Sequence, residues 1–152
     1  MKLRVHLNKK HRETTTTLRG ITNMATVKYK KIQVEIIENL IQKFWVPKYI
    51  KIDVEGYEHE VIMGLKTPVP LLSFEANLPE FLVESIQTIN HLDLISFNKY
   101  RFNFATSNSF LNEKFIGKED AIQFLRRTPL QYIEIYVKFD LDHIGSTRKR
   151  FY

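Results

Sequence analysis

The sequence contains no cysteine, which excludes disulfides, zinc thiolate sites and thiol nucleophiles. Glycine is scarce. Of five, only Gly20 precedes Gly56, and it lies in a basic polar segment with no apolar strand before it, so no G-x-G loop can be built there. No apolar run approaches the length of a membrane span, and the N-terminus MKLRVHLNKKHRETTTT lacks the apolar centre of a secretion signal. A cytoplasmic protein is the expectation. Acids are nearly missing from the first 31 positions, which hold nine Lys or Arg against Glu13 alone. That segment therefore carries an excess of eight positive charges, and the rest of the chain sums to −2 of the formal +6.

What is present is an ordinary globular composition, 43% hydrophobic and 26% charged, at a length of 152 residues that suits one domain with a real core. Residues 1–26 show no sustained period beyond a short strand at Leu3 to Leu7 and are expected to form a loose basic leader. Residues 27–140 form the expected domain, and 141–152 a frayed basic tail. Lys31 to Glu35 alternates like a strand, and Ile37, Leu40, Ile41 and Phe44 stand at the spacing of an amphipathic helix that Pro47 stops.

The βα rhythm then repeats. A strand over Tyr49 to Val54 is followed by a helix over Gly56 to Leu65, with Tyr57, Val61, Ile62 and Leu65 on one face. After Pro68 and Pro70, Leu71 to Glu75 predicts a second buried strand. Asn77 with Glu80 three residues on has the form of a capping box, so a helix is expected to start there and end near His91. A strand from Leu94 to Tyr100 should follow. Residues 101–117, with Phe102, Phe104, Phe110 and Phe115, fit either a hairpin or a loop packed on the core. Lys118 to Arg127 predicts a helix with Ala121, Ile122, Phe124 and Leu125 inward, and Gln131 to Phe139 a final alternating strand. Strands alternating with helices argue for an α/β fold with a mainly parallel sheet, whose ligand crevice lies beyond the carboxyl ends of the strands. Asp53, Glu55 and Glu75 share that edge.

The run Tyr49 to Gly64, YIKIDVEGYEHEVIMG, resembles the signature of the FkbM-like S-adenosylmethionine-dependent methyltransferases. The resemblance extends upstream through Val34 to Pro47 and downstream through LLSFEANLPEF, covering roughly residues 25 to 140. It implies a Rossmann-like, three-layer αβα sheet in which the strand ending at Asp53 is the fourth, Leu71 to Glu75 the fifth, and the last strands an antiparallel closing pair. It also implies methyl transfer from S-adenosylmethionine to an oxygen of a small molecule or glycan. Asp53 and Glu75 would be the catalytic carboxylates, and Asp53, Glu55 and Gly56 would meet the cofactor. No metal is implied. The family's glycine-rich loop and ribose-binding acid are absent, and Ile36-Ile37-Glu38 stands where Thr-Leu-Asp is usual. The chain thus resembles the C-terminal half of such an enzyme.

Blander readings stand beside these. Asp53 and Glu55 could simply favour the dipole of the next helix, Glu75 could pair with a lysine, and Asn77 could be only a cap. His59, flanked by Glu58 and Glu60, does not share a helical face with them, which predicts a solvated position rather than a metal ligand. Phe97, Tyr100, Phe102 and Phe104 are expected in the core or along an acceptor-side wall, and His91 and His143 have no readable context. The alternative to an enzyme is a non-catalytic remnant serving as an interaction module. A half-sheet would leave the edge of the Tyr49 to Val54 strand open, predicting a homo-oligomer or a partner chain that completes it. The basic arm as a nucleic-acid or membrane binder is a weaker third reading.

Overall fold

In the computed structural model of the chain, which describes residues 2–6, 35–107 and 109–140, four helices accompany six strands. They run β1 (Lys2–His6), α1 (Ile37–Phe44), β2 (Tyr49–Asp53), α2 (Glu58–Met63), β3 (Leu71–Asn77), α3 (Leu82–Ile95), β4 (Tyr100–Thr106), β5 (Ser109–Phe110), α4 (Lys118–Arg127) and β6 (Tyr132–Phe139). The strands form one mixed sheet in the order β1-β2-β3-β6-β4-β5. β1, β2 and β3 are parallel, β6 runs antiparallel between β3 and β4, and β5 closes a short hairpin on β4. The sheet is therefore less parallel than the βα rhythm predicts, because its last three strands all join by antiparallel pairing.

Alternation decides the two faces of this sheet. Ile50 and Ile52, Leu72, Phe74 and Ala76, Ile133, Ile135 and Val137, and Phe102 and Phe104 are all buried and lie side by side through the strand register. Each of these side chains except the small Ala76 contributes about 1.5–3 kcal/mol on burial, and a one-residue slip of any strand would turn its whole set outward. Helices α2, α3 and α4 cover this apolar face through Ile62, Ile89, Leu92, Ala121 and Leu125. The opposite face carries Tyr49, Lys51, Ser73, Glu75, Tyr132, Glu134 and Tyr136.

Several elements depart from expectation. Lys2–His6 pairs along β2 from Lys2 opposite Tyr49 to His6 opposite Asp53, so the edge expected to stand open is occupied and the argument for a completing partner loses its basis. This strand is the one that Leu3 to Leu7 predicts. α2 starts two residues late because Glu55 and Gly56 adopt left-handed φ angles of 56° and 95°, which no α-helix admits, and Tyr57 is consequently exposed. Asn77 does not cap a helix. It is the last residue of β3, opposite Tyr132, and the Leu78 N–H still donates to the Gln131 carbonyl at 2.6 Å, so α3 begins only at Leu82.

At its other end α3 continues to Ile95, since Ile89, Leu92 and Ile95 sustain one apolar helical face past His91. The expected strand from Leu94 to Tyr100 is replaced by that helix end and a turn through left-handed Phe97 and Asn98. Leu94 and Phe97 are 72% and 83% exposed, so Phe97 leaves the predicted aromatic core while Tyr100, Phe102 and Phe104 remain in it. Residues 101–117 combine the two readings. A hairpin of β4 and β5 is followed by a loop whose Ile116 exchanges two backbone hydrogen bonds of 2.8 Å with Phe102. α4 packs as its periodicity predicts, with Phe124 stacked 4.1 Å from Phe104. The predicted strand at Lys31 to Glu35, apart from Glu35, and the tail at 141–152 fall outside the described residues.

Candidate active site at the carboxyl edge of the sheet

The turn that closes β2 is held by Glu58, a carboxylate other than the Asp53 and Glu55 of the motif itself. As the strand stops, the N–H groups of Val54 and Gly56 lose their ladder partners and need acceptors. Glu58, the first residue of α2, bends back so that its Oε1 accepts from Val54 N–H and its Oε2 from Gly56 N–H, both at 3.0 Å. Gly56 sits beneath the Phe81 ring, where a Cβ would come within 3.4 Å of the ring edge. The loop is thus fixed by Glu58, Gly56 and Phe81, while Glu55 is exposed and Asp53 is half-buried on the polar face.

Across that face a single lysine gathers the acids. Lys51 Nζ lies 3.1 Å from Glu134 Oε1 and 3.6 Å from Glu75 Oε1, with all three side chains between 21% and 24% exposed. Glu75 and Glu134 stand directly opposite one another in the β3–β6 pairing, where two like charges would be destabilising without the cation between them. Ser73 Oγ donates to Glu134 Oε1 at 2.8 Å, Tyr136 OH donates to Glu134 Oε2 at 3.1 Å, and Tyr49 OH meets Ser73 Oγ at 2.6 Å. Tyr132 stands on the same face, two residues before Glu134 on β6.

Charge states follow from these contacts. Burial pulls the Lys51 ammonium down, but the hydrogen bond and charge of Glu134, with Glu75 and Asp53 behind them, prevail and hold it above its ordinary value. Burial and then Glu75, reinforced by Asp53 and Glu134, push the Tyr132 phenol up. Burial and the charge of Glu134 push Tyr136 up to about 12. At neutral pH Lys51 is therefore charged and the Tyr132 and Tyr136 phenols neutral. Glu75 is paired with a lysine, as its blander reading has it, and Asp53 belongs to the same electrostatic group.

Beside this network, between the N-terminal ends of α2 and α3 and the carboxyl end of β3, lies a cleft of about 20 Å³. Gly56, Glu58 and His59 line one side, Phe74, Glu75 and Asn77 the floor, and Phe81, Glu84, Ser85 and Thr88 the other. Gly56 and Glu75 meet here, whereas Asp53 and Glu55 do not reach it. His59 is not solvated as expected: its Nδ1 lies 3.0 Å from Thr88 Oγ1, tying α2 to α3. His91, without context in the sequence, has Nε2 at 2.8 Å from the Leu65 carbonyl. Among the described residues no three metal-ligating side chains converge, and no helix is long and apolar enough to cross a membrane.

Sequence reasoning passes over Lys51, Glu58, Glu84 and Tyr132. Lys51 and Tyr132 could have been found from alternation, since both fall on the same strand parity as Asp53 and Glu134, but pairing strands so far apart in sequence needs the fold. Glu58 carries a faint signal as an acid in the first turn of a helix that follows a glycine.

No curated protein matches the chain. The family profile described as the methyltransferase FkbM domain matches residues 5–102. That span begins inside β1, within the segment expected as leader, takes in the turn at Gly56 and every residue of the cleft, and stops in β4. With a match over more than half its length, and an α/β sheet carrying the motif at a strand's carboxyl end, the chain belongs to the FkbM methyltransferase family.

Proposed function

We propose that the protein transfers a methyl group from S-adenosylmethionine to an oxygen of a small molecule or glycan, and that its sheet is a Rossmann-like one in the arrangement of that enzyme class. The observation that carries this is the grouping of Asp53 and Glu75 on one face at the carboxyl ends of adjacent parallel strands, joined electrostatically through Lys51. Open α/β sheets bind their ligands at that edge.

The donor chemistry of these residues suits the cofactor's charged end. When bound, S-adenosylmethionine supplies an electrophilic methyl on a positive sulfonium. The carboxylate of Asp53 favours such a charge, and Glu55 and Gly56 shape the loop beside it. Gly56, with φ of 95° and no side chain, permits close approach of the backbone. Glu75 offers a carboxylate that can accept a proton from a hydroxyl within hydrogen-bond reach, with Lys51 orienting it. Alignment of the reacting atoms is the main remaining requirement.

Isothermal titration of the chain with S-adenosylmethionine and S-adenosylhomocysteine, with Asp53→Ala as control, tests the reading. Micromolar binding that the substitution abolishes supports it. A folded chain that binds neither compound would overturn it and favour the non-catalytic interaction module.

A further inference from the structure

Ile50 pairs with Leu72 in parallel, and Leu71 and Tyr100 stand at the same end of β6, opposite Lys138 and Phe139. β2, β3 and β4 therefore run one way, and the loops that enter them meet at one edge of the sheet, the edge opposite to Gly56 and Glu75. Trp45 and Phe97 stand in two of those loops and are the most exposed large apolar side chains of the described residues, Trp45 at 85%. Phe44, Val46 and Leu94 beside them are exposed as well. Both aromatic residues hold left-handed backbone. Trp45, with φ of 71° and ψ of 164°, occupies a region nearly reserved for glycine. Phe97, with φ of 54°, follows the last turn of α3, where its N–H donates to the Leu94 carbonyl and the Asn98 N–H to the Asp93 carbonyl, a closing turn in which glycine is the usual residue. Bulky side chains are thus kept, at a conformational cost, at two positions that turn them into solvent.

Charge indicates what meets them. Residues 45–48, 64–70 and 96–99 contain Lys48, Lys66 and Lys99 and no acid, and Lys43 precedes Phe44. The acids next to these loops are engaged within the protein: Glu38 by the Thr67 hydroxyl and two backbone N–H groups, Asp93 by Lys118 at 3.0 Å, and Asp140 by Arg101 at 3.6 Å. We propose that this edge docks on an anionic lipid bilayer, with Trp45 and Phe97 entering the headgroup layer and Lys43, Lys48, Lys66 and Lys99 meeting the anionic headgroups. β3 and β6 separate β2 from β4, so the two aromatic loops enter the sheet about 14 Å apart, with Lys66 and Pro70 exposed between them. A rigid protein partner needs roughly 800 Å² of continuous packed surface per side, whereas a fluid interface closes around each side chain separately. The docking needs neither the basic segment before residue 32 nor the methyltransferase reading.

Trp45 is the single tryptophan of the chain, so its fluorescence reads the docking directly. With vesicles of mixed phosphatidylcholine and phosphatidylserine in about 0.15 M salt, the emission of the full chain should move to shorter wavelength, and brominated acyl chains should quench it. Phosphatidylcholine alone should bind more weakly. Lys43→Gln with Lys48→Gln should weaken binding to the mixed vesicles about thirtyfold, from roughly fivefold for each lysine at an anionic surface. Trp45→Gly with Phe97→Gly, followed by vesicle sedimentation, should bind at least about tenfold more weakly yet melt no lower than the wild type, since glycine suits both backbones. No spectral response to the mixed vesicles overturns the proposal. So does wild-type binding by the double glycine variant, which would trace attachment to charge elsewhere in the chain, and so does lost binding with a lower melting temperature, which would assign both aromatic residues to the fold. A shift to shorter wavelength that grows with protein concentration in the absence of vesicles would overturn it too, by making this edge a contact with a second copy.

Discussion

Gly56 holds a φ of 95° with the Phe81 ring 3.4 Å from where a Cβ would stand, so both backbone and space ask for glycine. Gly56→Ala should cost about 1–2 kcal/mol in urea unfolding, the usual penalty of a left-handed conformation for an L-residue. Glu58→Ala acts on the same turn from the other side, leaving the Val54 and Gly56 N–H groups without acceptors. It should destabilise by about 1–3 kcal/mol in the same assay. A loss below about 0.5 kcal/mol would show that water replaces the carboxylate and that the turn is held otherwise. At this scale the motif is first a device for ending a strand, and only its unengaged atoms are available to chemistry.

Helix α1 is fastened by an acid that its amphipathic pattern would place in solvent. Glu38 is only 7% exposed, and it accepts from the Lys66 and Thr67 N–H groups at 2.9 Å and from Thr67 Oγ1 at 2.6 Å. It thereby links α1 to the loop between α2 and β3, and Gly64 beside it lets Ile36 approach so closely that a Cβ would lie 3.1 Å from its methyl. Burial pushes the Glu38 carboxyl up, but the hydrogen bonds from Thr67 and Lys66 outweigh it and hold it below its ordinary 4.5. A lowered folded value means that this stabilisation is present above 4.5 and disappears as pH falls through the folded value. Glu38→Gln should therefore flatten the decline in denaturation midpoint on acidification below about pH 4.5. An unchanged slope would assign the acid sensitivity to other carboxylates.

For the whole molecule, the pairing of β1 with β2 has the widest consequence. Deleting residues 1–6 should bare the hydrogen-bonding edge of β2 and drive self-association, seen as a concentration-dependent shift to larger species in size-exclusion chromatography relative to the full chain. An unshifted profile would mean that β1 contributes little to covering that edge. The core sets a second limit, at alkaline pH. Tyr100 is fully buried, its hydroxyl donating to the Val69 carbonyl at 2.9 Å and accepting from the Val69 N–H at 2.7 Å. Burial pushes it up to about 12, with the Val69 bond acting in the opposite sense. Because the folded value is raised, its contribution is complete below pH 10 and is lost as pH climbs towards 12. Phenolate absorbance should thus show Tyr100, with Tyr136, ionising late and together with loss of near-ultraviolet circular dichroism. Early, non-cooperative ionisation of all seven tyrosines would contradict this.

By itself the sequence determined the local periods and the motif: the strands around Ile50, Phe74 and Ile135, the helix of Ala121 and Leu125, and the YIKIDVEG signature at a strand's carboxyl end. Those features are legible because side-chain alternation and helical spacing repeat within a few residues. Tertiary structure alone decided where α3 begins and ends, since Asn77 is drawn into pairing with Tyr132 and Leu92 into the core, overriding a capping pattern that is locally sound. It also decided what the acids do. Lys51 meets Glu134 across 83 positions, Glu38 meets Thr67 across 29, and β1 finds β2 from the far end of the chain. Such partners carry no local signal, because hydrogen bonding and charge depend on distance in space, and the sheet sets that distance.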